Sequence, residues 1–365
     1  MGLAGTEMRR AKLRFGLLTG AVSLLVFLVL LLTTLSNALV SSLVGALEGL
    51  QTDGVVYADS ARDNIVASRL PAETTQEVAA VPGVARAAGI GTFTSNAELA
   101  GELTEVQVFG YEASGPGAPS GLDSGRLPEA PGEAAVDGGG VAIGDTVSLE
   151  PGGTELTVVG TVRGAQFNAL PTAYVLLDTY AAAVEAANPG LPFVPINAVA
   201  FDVSEGEDSA VVAAAVTDSV DGVTGYSLDE AVALIPGIAS ISQSFGILVG
   251  LTFVIGIVVI GFFFLILTVQ KMKAFTLLRA IGTSTARLAG SVALQITAVV
   301  LIASAIALVL TLLAVQGLNT GIPVSLEPSL VIGTIVAVLV FSLAAGLLSI
   351  RRIARIDPAT AVGAR

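Results

Sequence analysis

The sequence predicts an α-helical membrane protein with four transmembrane helices and a large α+β extracytoplasmic domain of two lobes between helices 1 and 2. Three observations predict it. Of 365 residues, 53% are hydrophobic and 13% charged, whereas soluble domains carry about 25% charged residues. Uncharged runs at residues 15–47, 245–269, 289–315 and 330–350 are each long enough to cross a bilayer core, which takes about 20 helical residues. Charge is also segregated. Residues 40–235 hold 27 of the 30 acidic residues against 5 basic ones, a net of −22, and the other basic residues flank the apolar runs.

Taken in order, residues 1–14 form a cytoplasmic elbow carrying Arg9, Arg10, Lys12 and Arg14. Residues 15–47 are the first span and its outward extension. Its most apolar part, residues 15–35, is 21 residues long, or about 31 Å of helix. A cleavable signal peptide ending near Ser36-Asn37-Ala38 is the alternative reading, but signal h-regions run only about 7–15 residues. The extracytoplasmic domain follows at 48–237 and the second span at 238–270. A basic loop at 271–287 precedes the third span at 288–316, a short outer loop at 317–329 and the fourth span at 330–350. The tail at 351–365 adds Arg351, Arg352, Arg355 and Arg365. The positive-inside rule puts both termini and the 271–287 loop in the cytoplasm of a multi-pass cell-membrane protein, with the acidic segment outside.

Within that segment, Val55-Val56-Tyr57 reads as a strand, and a helix runs from Pro71 through Ala80 to a Pro82-Gly83 stop. Residues 104–110 alternate apolar and polar as a half-buried strand does. After a Gly/Pro-rich passage at 115–140, residues 145–149 and 156–162 form a hairpin around Pro151-Gly152-Gly153. Residues 198–203, 209–219 and 223–227 read as strand, helix, strand. Matching β-α-β material at both ends implies one lobe built from both chain ends, with a strand-rich lobe inserted.

The composition excludes much chemistry. With no Cys and no His, there is no thiolate nucleophile, no Ser-His-Asp triad, no imidazole metal site and no disulfide. No Gly-Lys pair occurs, so the chain has no Walker A phosphate loop, and Gly138-Gly139-Gly140 and Gly152-Gly153 are turn residues. An acidic chain without a basic stripe is no nucleic-acid partner. The sequence offers no catalytic residues and no intrinsic cofactor.

The basic loop is more informative. In Lys271-Met272-Lys273-Ala274-Phe275-Thr276-Leu277-Leu278-Arg279-Ala280-Ile281-Gly282, Phe275, Leu278 and Ile281 recur at helical spacing. Such an amphipathic segment either anchors at the membrane surface or docks in a partner's groove. Residues 271–284 ("KMKAFTLLRAIGTS") and 350–362 ("IRRIARIDPATAV") resemble the cytoplasmic loop and tail of FtsX/MacB-type ABC transporter permeases. The stretches "SGRLPEAPGEAAVD", "IGDTVSLE" and "ELTVVGTV" resemble their MacB-like outer domain. The resemblance implies a homodimeric permease working by mechanotransmission. Two separate cytoplasmic ABC ATPase subunits, holding ATP and Mg, would then couple through Lys271, Leu277, Leu278 and Arg279. Many relatives have an acidic residue where Ala274 stands.

Residues 14–70 look most like haem-exporting permeases of the HrtB type and their DevC-like relatives, which implies haem as cargo, taken from the lipid bilayer. With His and Cys missing, and Met1, Met8 and Met272 all on the cytoplasmic side, an outward-facing iron ligand must be an oxygen donor. Glu48, the first charge after 33 uncharged residues, is the candidate metal ligand. Val44, Leu47 and Phe245 would cover the porphyrin, and Ser41 and Gly45 would allow close approach. The alternative donors are Tyr57, Tyr111, Tyr174, Tyr180 and Tyr226, and the bland reading of Glu48 is a solvated helix end. Export of lipid, lipoprotein or peptide in the MacB manner, or FtsX-like regulation of an extracellular protein, are the other functional classes.

Overall fold

The computed structural model of the chain describes residues 12–99, 101–137, 140–270, 283–317, 326 and 328–354. They fall into two compact units. One comprises the chain up to Asn37 together with the chain from Ser242 onward, and the other is Ala38–Ile241.

Helix α1, Lys12–Glu48, is a single helix of 37 residues, about 55 Å long. That is nearly twice the thickness of a hydrocarbon core. Its last 11 residues, from Ala38 to Glu48, belong to the second unit.

The second unit is α+β. In chain order it contains β1 (Leu50–Gln51), β2 (Gly54–Ala58), α2 (Thr74–Ala79), β3 (Val84–Leu99), β4 (Glu102–Tyr111), β5 (Ala118–Pro119), β6 (Leu122–Gly125), β7 (Glu133–Asp137), β8 (Thr146–Glu150), β9 (Thr154–Val162), β10 (Thr172–Leu176), α3 (Leu177–Ala187), β11 (Ala198–Val203), α4 (Ser209–Ser219), β12 (Val223–Ser227) and α5 (Leu228–Leu234). Ten strands join in the order β12-β2-β11-β3-β4-β10-β7-β9-β6, with β8 lying on β3 and β9.

The lobes meet on β3. Its first half, up to Ile90, pairs with β11, and its second half, from Gly91, pairs with β4. One lobe is therefore β12, β2, β11 and half of β3, drawn from both ends of the unit. Val56, Val78, Phe201, Val212 and Val216 fill its core. The other lobe is the inserted strands, packed around Val106, Val108, Leu156, Val158 and Tyr180. A third core, containing Leu47, Tyr57, Ile90, Phe109, Phe167 and Tyr174, lies at the seam. Buried Asn197 ties the seam together. Its Oδ1 accepts from Thr92 N at 2.7 Å and Tyr180 OH at 3.0 Å, while Nδ2 donates to Ser68 O at 3.1 Å and Ile65 O at 3.3 Å.

Local chemistry explains these elements. The hairpin about Pro151 sets Thr146 opposite Thr157 and Leu149 opposite Thr154, and Gly152 and Gly153 both take positive φ. Asp208 caps α4 by accepting from Ala210 N and Val211 N, and Ser227 with Glu230 forms a capping box on α5. The helix expected from Pro71 begins instead at Thr74. The amides of Thr74 and Thr75 bond the carbonyls of Pro71 and Ala72, so those first residues form a turn.

The first unit contains α1 to Asn37 and helices α6 (Ile238–Gln270), α7 (Thr285–Gly317) and α8 (Pro328–Ala354). The start of α6, before Ser242, counts with the α+β unit. Among the described residues, four helices are long and apolar enough to cross a membrane: Phe15–Glu48, Ile238–Phe263, Ala289–Gly317 and Pro328–Ala345. Phe15, Leu18, Val22, Val26 and Leu30 of α1 pack with Ile260 of α6, Ile296, Val299 and Ala303 of α7 and Val338 of α8.

Candidate functional site

Backbone hydrogen bonds from a neighbouring hairpin surround the last turns of α1. Between β9 and β10 the chain makes a tight hairpin, with Phe167 and Leu170 exchanging backbone hydrogen bonds at 3.1 and 2.9 Å. Asn168 and Ala169, at the tip, both have positive φ (50° and 61°). Asn tolerates that conformation, but Ala adopts it at a cost. The strain sends both tip amides outward. Ala169 N donates to Ser42 O at 2.7 Å and Asn168 N to Leu43 O at 3.1 Å, while Ala46 N donates to Gln166 O at 2.9 Å.

Ser42 O and Ala46 N are the two groups that an α-helical ladder pairs with each other. Here each also engages the hairpin, which thus enters the helix's own hydrogen-bond register. Tyr174 of β10 adds a hydroxyl donated to Ala46 O at 3.2 Å. Gly45 permits the approach. A Cβ there would overlap Gly164 O and lie 3.2 Å from Gly164 C and 3.4 Å from Gln166 O. The small residue expected to admit a ligand or second helix admits the α+β unit's own backbone.

The residues expected at a haem site are distributed differently. Glu48 is exposed and ends α1. Val44 and Leu47 are both 0% exposed, Leu47 within the seam core, so neither presents a surface to a porphyrin. Ser41 is half-buried. Phe245, half-buried on α6, belongs to the other unit. The structure brings Val44, Leu47 and Glu48 together on one helix end.

The tyrosines are poor oxygen donors. Tyr57, Tyr111, Tyr174 and Tyr180 are buried. Burial pushes the phenols of Tyr111 and Tyr180 up to about 12 and those of Tyr57 and Tyr174 higher still. Tyr226 reaches about 12, through burial and then its hydrogen bond to Asp63. A tyrosinate ligand must lose its proton, and all five environments oppose that. Among the described residues, no group of three or more carboxylates stands as a metal site. Within the first unit, a crevice lined by Val22, Val26, Phe253, Ile257, Phe341 and Ser342 has room for about one water, about 20 Å³. The coupling residues Lys271, Leu277, Leu278 and Arg279 lie outside the described residues, as do Gly138 and Gly139.

Comparison with known proteins places this architecture. Residues 246–358, covering most of α6 and all of α7 and α8, match the family model "FtsX-like permease C-terminal". An uncharacterised ABC transporter permease of Mycobacterium tuberculosis is 28% identical over 290 residues, 78% of this chain and 77% of that protein. The chain is similar to FtsX-like ABC transporter permeases. A permease of this type works with a partner ATPase. The permease is also 33% identical to a putative hemin transport system permease, HrtB, of Staphylococcus epidermidis, over 111 residues that make up 30% of this chain and 32% of that one. Among solved structures, the periplasmic region of MacB from Actinobacillus actinomycetemcomitans superposes with a TM-score of 0.38 at 11% identity, covering 52% of the permease and 95% of that chain.

Three features of the site were absent from the sequence reading: the hairpin at 167–170, its strained tip, and the role of Gly45. The detectable signal was the pair of small residues at Gly45 and Gly164, which carries no indication of what each faces.

Proposed function

We propose that this permease is the membrane subunit of an efflux pump driven by mechanotransmission. A cytoplasmic ATPase moves the membrane helices, α1 carries that movement into the α+β domain, and a membrane-partitioning cargo is expelled. The observation that carries this reading is that α1 is one unbroken helix whose last 11 residues are bonded by backbone into the α+β unit. A hydrogen-bonded helix transmits displacement and rotation along its axis, whereas a flexible linker absorbs them. The charge pattern supports the orientation, with both termini and the 271–287 loop cytoplasmic and the −22 domain outside.

The pump is a homodimer served by two ATPase subunits that grip Lys271–Arg279. The double change Leu277→Asp and Leu278→Asp puts two carboxylates into that apolar stretch of sequence, so the ATPase should no longer co-purify while the permease stays in the membrane. Retained co-purification overturns this docking site.

Haem is the first cargo to test. The partial likeness to a putative hemin transport permease supports it, and exposed Glu48 is the accessible oxygen donor at the end of α1. Haem added to the purified permease should give a Soret band that shifts and weakens in Glu48→Ala. An identical spectrum and affinity in Glu48→Ala removes Glu48 as ligand, and the absence of any Soret shift in the unmodified permease removes haem as cargo.

A further inference from the structure

The hairpin that grips α1 is itself held by a carboxylate with no part in the reading above. Asp137 closes β7 and is 5% exposed. Its Oδ2 accepts from Ala165 N at 2.9 Å. β7 lies between β10 and β9, and Asp137 stands opposite Val162, the last residue of β9. The carboxylate therefore sits where the chain leaves the sheet for the hairpin. Gly164 makes the corner with a φ of +69°.

A buried carboxylate is costly unless hydrogen-bonded, and its use here is directional. An amide one residue past the corner, fixed on a buried carboxylate, sets the path of the chain after it. Gln166, Asn168 and Ala169, the three residues that bond α1, follow within five positions of Gly164.

We propose that Asp137 is the positioning residue of the helix clamp, its carboxylate holding the Gly164–Ala165 corner so that the hairpin meets α1 at residues 42–46. The functional meaning of this role rests on the mechanotransmission reading, but its geometry does not. The titratable group facing Asp137 from β10 is Tyr174, neutral because burial and then Asp137 itself push its phenol up. Arg163, at the end of β9, is largely exposed and pairs with Asp123 at 2.8 Å. Burial pushes the Asp137 carboxyl above its ordinary value, against the pull of the Ala165 and Gly164 amides. The closed clamp is the state that buries the carboxyl, so proton uptake favours closure and ionisation opposes it.

Hydrogen exchange on the full-length permease in lipid nanodiscs tests this, using segments 40–48 and 163–171, with strands 54–58 and 198–203 as reference. In Asp137→Ala both segments should exchange at least tenfold faster while the reference strands are unchanged. Asp137→Asn keeps an uncharged acceptor of the same shape, and should match or exceed wild-type protection at pH 7. Corrected for intrinsic rates, wild-type exchange in both segments should slow as pH falls from 7 to 4, and Asp137→Asn should be flat. The proposal is overturned if 163–171 loosens in Asp137→Ala while 40–48 does not, or if Asp137→Asn follows the wild-type pH profile. Should Asp137→Ala unfold the reference strands too, the Asp137→Asn profile decides alone. The measurement needs neither ATPase nor cargo. Loosened segments with undiminished ATP-driven transport would therefore overturn the transmission reading and leave the positioning role standing.

Discussion

Gly45→Ala sets two opposing effects against each other, and the structure says which wins. Gly is the poorer helix former, so Ala should stabilise α1 by about 1 kcal/mol. The new Cβ, however, would overlap the Gly164 carbonyl oxygen and crowd Gly164 C and Gln166 O. All three are backbone atoms and cannot swing aside as a side chain could. Overpacking of this kind costs about 1–3 kcal/mol. Displacing the hairpin also weakens the bonds from Ala169 N to Ser42 O and from Ala46 N to Gln166 O, each contributing about 1 kcal/mol. The balance favours opening of the clamp by about 2 kcal/mol, which is about thirtyfold in population. Trypsin reads it directly, because cleavage after Arg163 requires the corner to open, and cleavage under fast opening follows the open population. Gly20→Ala is the control, since no atom lies within 4 Å of a Cβ there. Cleavage after Arg163 as slow in Gly45→Ala as in the control would refute the claim that α1 is clamped through Gly45.

Three further outcomes are expected. Asn197→Ala leaves the Thr92 amide and the Ser68 and Ile65 carbonyls without their buried partner. It should destabilise the α+β unit by about 3 kcal/mol or more, visible in thermal unfolding, and an unchanged melting temperature would contradict the seam assignment. Glu133 is held down to about 2, chiefly by its hydrogen bond to Arg126. Its contribution should be fully present above the ordinary carboxylate range and vanish as pH falls toward 2, so wild type and Glu133→Gln should converge in melting temperature at acid pH and diverge near neutrality. Parallel pH curves would argue against the pair. For orientation, a single Cys at exposed Ser120 should be labelled from outside intact cells and one at Ala274 should not. The chain contains no native Cys to interfere, and the reverse pattern would invert the topology.

The four long helices were legible in the sequence because a bilayer demands about 20 uncharged residues in a row, and few other environments do. Alternation revealed β4, the β8–β9 hairpin and the β11-α4-β12 unit, since each of these elements buries one face of a short repeat. The closing of one lobe by both chain ends followed from the same pattern. Strand β3 was not legible. The run Arg86-Ala87-Ala88-Gly89-Ile90-Gly91 has almost no alternation, because that strand changes partner and face midway between β11 and β4.

Hydropathy also left undecided where α1 leaves the membrane unit. Val44 and Leu47 are apolar whether they face lipid, porphyrin or a domain core, and only the packed structure places Leu47 among Tyr57, Phe109 and Tyr174. The clamp was hidden for a different reason. Its contacts run from main chain to main chain, from Ala169 to Ser42, Asn168 to Leu43 and Ala46 to Gln166, and such bonds leave no side-chain signature. Asp137 was one of 30 acidic residues in the sequence, and folding alone distinguished it. The sheet carries it out of water to the point where β9 ends, leaving the Ala165 amide as the partner its burial requires.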